Sequence, residues 1–312
     1  ELDDEKVRLV RRRFPNRVLS WLGKAGLMGV ERFTGPLDLF VHTDVVFAPL
    51  LRTPSVVMVY DLLFMRPEEG FHSMRFCRQI ERRMRRALKS AAAVMVPSQA
   101  TLADLERYFP DLAVPKRIIP MGGDHLPPPE DPGVSGDYFL SVGTFEPRKN
   151  RIRILEAFEQ LNPEGVQLVI AGRRGWMDRP FLTRLESSSV RDRVRLIEEE
   201  DDRRLSGLYA KALALLYPSL GEGFGLPLAE AFASGCPVIT SDRSSLPEVA
   251  GGAAVLVDPR DAGALAVAMR RMAGDPAFRR VRIESGMKRA QFLTWKRAAA
   301  DTLDFLRSLR RS

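Results

Sequence analysis

The sequence predicts an α/β protein built on doubly wound parallel sheets in two units. Three observations carry this. Beyond Asp137, apolar runs of strand length alternate regularly with helical stretches. The segment Arg117–Asp137, RIIPMGGDHLPPPEDPGVSGD, is dense in Pro and Gly and divides the chain. The Gly-rich and charged stretches mostly follow strands, and right-handed crossovers in a parallel sheet gather such loops on one rim.

Taken in order, the residues to about Gly35 read as helical and basic, with Arg8, Arg11, Arg12, Arg13 and Arg17. The chain begins at Glu1 without Met, and no strand precedes ELDDEKVRLVRRRFP, so the natural N-terminus is expected upstream. LDLFVH (Leu37 to His42) and SVVMVYDLLF (Ser55 to Phe64) read as strands, the second presenting Tyr60 and Asp61 at its end. Phe71 to Ser90 reads as a helix with one strongly positive face, from Arg75 through Arg78, Arg82, Arg83, Arg85 and Arg86 to Lys89. AAAVMVPS is a strand and turn, and Gln99 to Phe109 a helix ended by Pro110, with Ser98 as its cap. After the divider come the strands YFLSV, VQLVIAG, VRLI, LALLY, PVITS and AVLV. Helices are expected near Arg151–Leu161, Pro180–Ser187, Asp202–Ala212, Pro227–Ser234 and Asp261–Ala273. The boundaries are residues 1–126 for a first unit, 127–295 for a second, and 296–312 for a helix returning to complete the first.

With 312 residues, 45% of them apolar, the chain can bury one large core or two ordinary ones. Cys77 and Cys236 stand far apart, which suits a reducing cytosol rather than a disulfide framework. The three histidines make no spaced metal motif, and no apolar run reaches membrane-spanning length. A net charge of +8 favours anionic partners.

The most informative stretch is YPSLGEGFGLPLAEAFASGCPVITSDRSSLP, Tyr217 to Pro247. It places Glu222 in a Gly-rich turn after an apolar strand and Glu230 in the helix that follows. Pro227 suits a helix start, so the amides around Phe224 to Ala229 form an anion-binding helix N-terminus. Glu230 is read in the first helical turn, where the dipole favours a carboxylate. A carboxylate beside a phosphate site repels phosphate, so a diol attached to that phosphate, such as a ribose, fits it better.

PSLGEGFGLPLAEAFASGCPVITSDRSSLPEVAGGAAVLVDPRD, with VGTFEPRKN, AGRRGW and IPMGGD upstream, resembles the group 1 (GT4) retaining nucleotide-sugar glycosyltransferases. The likeness runs from about Asp38 to Trp295. It implies a GT-B fold: two Rossmann-like domains facing across a cleft, the C-terminal one binding the donor, with FLTWKRAAADTLDFLRSL as the helix that crosses back. It implies that Glu222 lies near the transferring sugar and Glu230 on the ribose. Phe224, Gly225 and Leu226 then face sugar and phosphate, and Lys149 with Arg148 bind the diphosphate beside Gly143. Catalytic roles fall to Glu222, Lys149 and Asp61. The resemblance implies no catalytic metal and no cofactor besides the nucleoside-diphosphate sugar, and the chain has no Asp-x-Asp. Two departures stand out. Tyr60-Asp61-Leu62 replaces the family's His-Asp-Leu, and the N-terminal Gly-rich acceptor loop is absent.

The expected function is retaining transfer of a sugar to a glycan or lipid-linked glycan, with GDP-mannose as the first guess and UDP-sugars next. The alternatives are a nucleotide-sugar-binding protein with little transfer and a sugar-nucleotide epimerase. The Arg75–Lys89 face is expected to meet the anionic inner surface of the cytoplasmic membrane, placing the protein in the cytoplasm as a peripheral protein. Nucleic acid ranks below this, since no recognised nucleic-acid fold surrounds the face. Glu248 is read evenly between a helix-start carboxylate and a site residue, His125 as a linker residue, and Trp176 and Trp295 as packing groups.

Overall fold

The computed structural model describes residues 10, 22, 27–43, 48–66, 70–71, 73–175, 179–198 and 201–309. The basic N-terminal stretch, His72 and Trp176 therefore lie wholly or largely outside the described residues.

Two separate parallel sheets organise the chain. The first contains β1 (Phe40–His42), β2 (Ser55–Met58), β3 (Ala91–Val96) and β4 (Lys116–Ile118), in that spatial order. A short turn of helix, α1 (Glu31–Thr34), precedes it, and α2 (Met74–Lys89) and α3 (Gln99–Tyr108) flank β3 in sequence. The second holds β5 (Tyr138–Val142), β6 (Gln167–Ala171), β7 (Val194–Ile197), β8 (Ala214–Tyr217), β9 (Val238–Ser241) and β10 (Val255–Val257). Its spatial order is β7-β6-β5-β8-β9-β10, the dinucleotide-fold order in which the chain works outward from β5, returns, and works outward from β8. Between them run α4 (Arg151–Leu161), α5 (Arg179–Glu186), α6 (Asp202–Lys211), α7 (Leu226–Ala233) and α8 (Leu246–Ala250), and after β10 come α9 (Ala262–Gly274), α10 (Pro276–Ala290) and α11 (Trp295–Leu309).

The cores follow from strand alternation. Tyr138, Leu140, Leu215 and Tyr217 point into one core, while Phe139, Ala214 and Leu216 point into another on the opposite face of the second sheet. Both faces are covered by helices, so these strands read as near-continuous apolar runs. The first sheet behaves alike. Val57, Val94 and Val96 pack with Ile80 and Met84 of α2, and Val56, Ala93 and Met95 with Ala298 and Phe305 of α11. The last helix thus covers the first sheet.

Several boundaries differ from the sequence reading. The apolar run from Ser55 ends as a strand at Met58, and Leu63–Met65 forms a 3-10 turn. The Asp61 carboxylate accepts the Leu63 amide at 3.1 Å and so bends the chain away. The Pro/Gly-rich divider begins with β4, whose Lys116–Ile118 pairs in parallel with Val94–Val96. Helix α8 enters the sequence reading only as a possible helix start at Glu248, and α10 does not enter it. Of α10 only Gly286 is fully buried, so no apolar stripe marks it in the sequence.

Candidate functional site

Loops after β5 and β8 meet where the strand order reverses, the place where open α/β sheets bind ligands. After β5 the chain turns at Gly143, with φ +127°, a conformation L side chains rarely adopt. A Cβ there would lie 3.1 Å from Lys149 Cε, so the glycine leaves room for the lysine stem to fold back over the strand end. Pro147–Lys149 forms a 3-10 turn, and Asn150 in the left-handed region leads into α4. Arg151 braces this loop. Its guanidinium donates to the carbonyls of Thr144 (3.0 Å) and Gly143 and stacks on Phe145. Burial lowers its pKa to about 10, against the pull of Glu146. The Leu220 amide donates to the Arg148 carbonyl at 2.9 Å and ties the two loops together.

Glu222 sits at the centre and is only 7% exposed. Its Oε1 accepts from Lys149 Nζ at 2.7 Å and from the Tyr217 hydroxyl at 2.8 Å. Arg148 donates to its Oε2 and pairs through Nη2 with Glu146 at 2.7 Å. Burial alone would raise the Glu222 carboxyl, but Lys149 and Arg148 prevail and hold it at about 2. Burial draws Lys149 below the ordinary lysine value, with Glu222 opposing and Arg148 reinforcing the fall. Burial works against the charged form of Arg148 as well, but Glu222, Tyr217 and Glu146 outweigh it and raise its pKa. Burial, then the Glu222 charge, pushes Tyr217 well above the usual phenol range, so its proton stays for Glu222.

Glu230 lies in a second, differently built pocket. It is the fifth residue of α7, not a first-turn residue, because the helix begins at Leu226. Its Oε2 accepts from the Tyr209 hydroxyl at 2.8 Å, and its Oε1 faces His125 Nε2 at 3.5 Å. Burial raises its pKa, with the Tyr209 hydrogen bond and His125 working the other way. His125, read from sequence as a linker residue, is thus a neighbour of this carboxylate. Trp295, read as packing, donates its indole N–H to His125 Nδ1 at 3.3 Å.

The structure therefore gathers Arg148, Lys149 and Glu222 beside Gly143. Phe224 is buried in the same turn, and Gly225 and Leu226 open α7. Asp61 stands on the other half of the molecule, where its Cβ lies 2.7 Å from the place a Cβ on Gly223 would take. Its carboxylate is engaged with its own chain at Leu63. The two halves meet closely here. Ser98 Oγ and Thr101 Oγ1 donate to the Gly223 carbonyl at 2.6 and 3.0 Å. Ser98 also caps α3, as the sequence indicated. Glu248, in the first turn of α8, accepts the Gln99 amide at 2.9 Å and the Ala100 amide at 3.3 Å, both at the start of α3. Sequence reasoning missed Tyr217, Tyr209 and the reach of His125. The one available signal was that a buried tyrosine hydroxyl needs a polar partner.

Three comparisons bear on this arrangement. The family model described as "Glycosyl transferases group 1" matches residues 129–289, just over half of the chain. An O-antigen chain mannosyltransferase B from Escherichia coli is 29% identical over 282 residues, 86% of this chain and 74% of the relative. Among solved structures, sucrose-phosphate synthase from Thermosynechococcus elongatus superposes with a TM-score of 0.78 at 23% identity, covering 98% of this chain and 82% of that one. WaaG, a glycosyltransferase involved in lipopolysaccharide biosynthesis, superposes with a TM-score of 0.71 at 20% identity, covering 95% of this chain and 85% of that one. These structural likenesses establish the GT-B fold. With a matching family model over the sheet that carries Lys149, Glu222 and Glu230, the chain belongs to the group 1 glycosyl transferases and is a glycosyltransferase enzyme.

Proposed function

We propose that this glycosyltransferase moves mannose, with retention of configuration, from GDP-mannose to a glycan or lipid-linked glycan acceptor. The observation that carries the donor half is the meeting of Arg148 and Lys149 with Glu222 at the reversal point of the second sheet. The choice of mannose follows the Escherichia coli relative, an O-antigen chain mannosyltransferase.

In this reading the diphosphate takes up the positive charge that Glu222 holds ready. Departure of the diphosphate is the hard step of sugar transfer, and preorganised cations in a water-poor site stabilise it most economically. Arg148 and Lys149 supply that charge without a metal ion or cofactor. Glu222 orients sugar hydroxyls, and Glu230 accepts the two ribose hydroxyls. Gly143, Phe224, Gly225 and Leu226 line the path of the phosphates, and Asp61 approaches the sugar from the first sheet. Contact between the halves at Gly223 excludes water and so suppresses hydrolysis.

The acceptor side is read as facing an anionic membrane. On α2, Cys77, Ile80 and Met84 turn inward, while Arg75, Arg78, Arg82, Arg83, Arg86 and Lys89 are exposed. This open face also carries Gln79, and Met74 stands half exposed at one end. Among the described residues no helix is long and apolar enough to cross a membrane. Surface attachment through about 1 kcal/mol per basic residue would hold the enzyme near a lipid-linked acceptor at the cytoplasmic face.

A thermal-shift panel of GDP, UDP, ADP and dTDP tests the donor, with GDP expected to stabilise most. A transfer assay tests the site. K149A and E222A are expected to fold and lose most transfer, while E230A mainly weakens nucleotide binding. Ordinary turnover in all three variants would overturn the assignment.

A further inference from the structure

The chain passes between the two sheets twice, once after β4 and once ahead of α11, and the two passages are fastened together. The Gly123 amide donates to the Leu293 carbonyl at 2.9 Å, and the Trp295 amide donates to Asp124 Oδ1 at 2.8 Å. The Trp295 indole N–H then reaches His125 Nδ1 at 3.3 Å, with the rings in edge contact at 6.2 Å between centroids. This bond fixes the imidazole chemically. A neutral ring whose Nδ1 accepts carries its proton on Nε2. That Nε2 faces Glu230 Oε1 at 3.5 Å, while the Tyr209 hydroxyl holds Oε2 at 2.8 Å.

We propose that His125 is a positioning residue for the donor ribose, set by Trp295 across the clasp of the two chain passages and acting on Glu230. An ionised carboxylate has about four lone-pair sites. Tyr209 takes one, His125 faces a second, and two remain on fixed sides for the two hydroxyls of a ribose diol. Without His125, Glu230 keeps one anchor and can rotate about it, and the diol loses its aligned acceptors. The inference rests on the reading of Glu230 as the ribose ligand, and the experiment separates the two.

Dissociation constants are measured for GDP and for 2′,3′-dideoxy-GDP, or for the uridine pair if the panel above selects UDP. Wild type should prefer the diol. E230Q should lose that preference. H125F should weaken GDP about tenfold, the low end for a hydrogen bond to a charged group because Nε2 stands 3.5 Å from the carboxylate, while leaving the dideoxy compound within about twofold. H125Q, whose amide can still donate toward Glu230, should recover most of the loss. W295F should show a smaller loss confined to the diol compound. A merely structural role for His125 would weaken both ligands together. If E230Q abolishes the diol preference while H125F keeps it, the inference falls and the ribose reading stands. If E230Q retains the preference, the ribose reading falls and takes the inference with it. Thermal melts accompany each variant, and if H125F does not fold, H125N, too short to reach Glu230, carries the same comparison.

Discussion

Replacing Glu222 by Gln removes one negative charge from the centre of the site at almost constant volume. Two cations face it, but they differ in what they keep. Arg148 retains Glu146 at 2.7 Å and the Gly221 carbonyl at 3.3 Å. Lys149, with its side chain 8% exposed, retains the neutral Tyr217 hydroxyl and the face of that ring. One buried cation is therefore orphaned rather than two. Breaking a buried pair by removing one partner costs ~3–5 kcal/mol. The cost is capped because Lys149 can release its proton. From the ordinary value of 10.5, that release at pH 7 costs about 5 kcal/mol. Taking about 3 kcal/mol, and 2–4 °C per kcal/mol for a cooperative unit of roughly 150–250 residues, E222Q should melt about 6–12 °C below wild type. Inorganic pyrophosphate should then raise the melting temperature of E222Q more than that of wild type, since it finds cations no longer neutralised. The assay is differential scanning fluorimetry with and without pyrophosphate, beside a transfer assay in which E222Q is expected to be inactive. Melting within about 2 °C of wild type would refute the energetic reasoning. Equal pyrophosphate shifts would refute the diphosphate role of the cations.

The same pair gives a pH dependence. Glu222 titrates near 2 when folded against an ordinary 4.5, so its contribution is complete above pH 4.5 and is lost as pH falls toward 2. Denaturant titrations between pH 6 and pH 3 should show this component in wild type and lack it in E222Q. At Gly223 a Cβ would lie 1.9 Å from the Tyr60 carbonyl oxygen, so G223A must push the two halves apart. Transfer should fall about a hundredfold, as small misplacements do, while nucleoside diphosphate binding measured by calorimetry persists; undiminished transfer would remove this contact from the working enzyme. E248A frees the Gln99 and Ala100 amides at the start of α3 and should cost about 1–2 kcal/mol. Faster hydrogen exchange at those two amides is the check, and unchanged exchange counts against the bridge. Phe305, 3% exposed, anchors α11 on the first sheet, so F305A should cost ~3–5 kcal/mol by chemical denaturation.

What could be read from the sequence was local in character. YFLSV and LALLY became β5 and β8 almost residue for residue, because strands covered on both faces announce themselves as unbroken apolar runs. The loops after them follow from the parallel rule, which puts Lys149 and Glu222 on one rim, where they lie in contact at 2.7 Å. Other features depended on distant partners. His125 and Trp295 are separated by 170 positions, and nothing near His125 marks it as more than a loop residue. Ser55 to Phe64 read as one strand because its apolar pattern continues past the bend that Asp61 makes. β4 was hidden in a Pro- and Gly-rich segment because three residues suffice when a neighbour already supplies the edge.

Glu222 and Glu230 look alike in sequence, two carboxylates eight positions apart on one turn and helix. Their surroundings separate them. Both are 7% exposed, so both bear a heavy burial cost in the charged form. For Glu222 two cations at contact distance overturn that cost and keep it ionised. For Glu230 the near partners are a phenol and an imidazole, burial prevails, and the pKa rises. Pairs whose environments drive their pKa values apart mark a division of labour. A carboxylate already neutralised by cations gives up those cations readily to a stronger anion such as a diphosphate. A carboxylate left under-compensated gains most from neutral hydrogen-bond donors, which stabilise its charge without adding any. In the proposed reading, the diphosphate and the ribose diol of a nucleoside-diphosphate sugar meet that pair of environments, Glu222 in the turn before α7 and Glu230 within it.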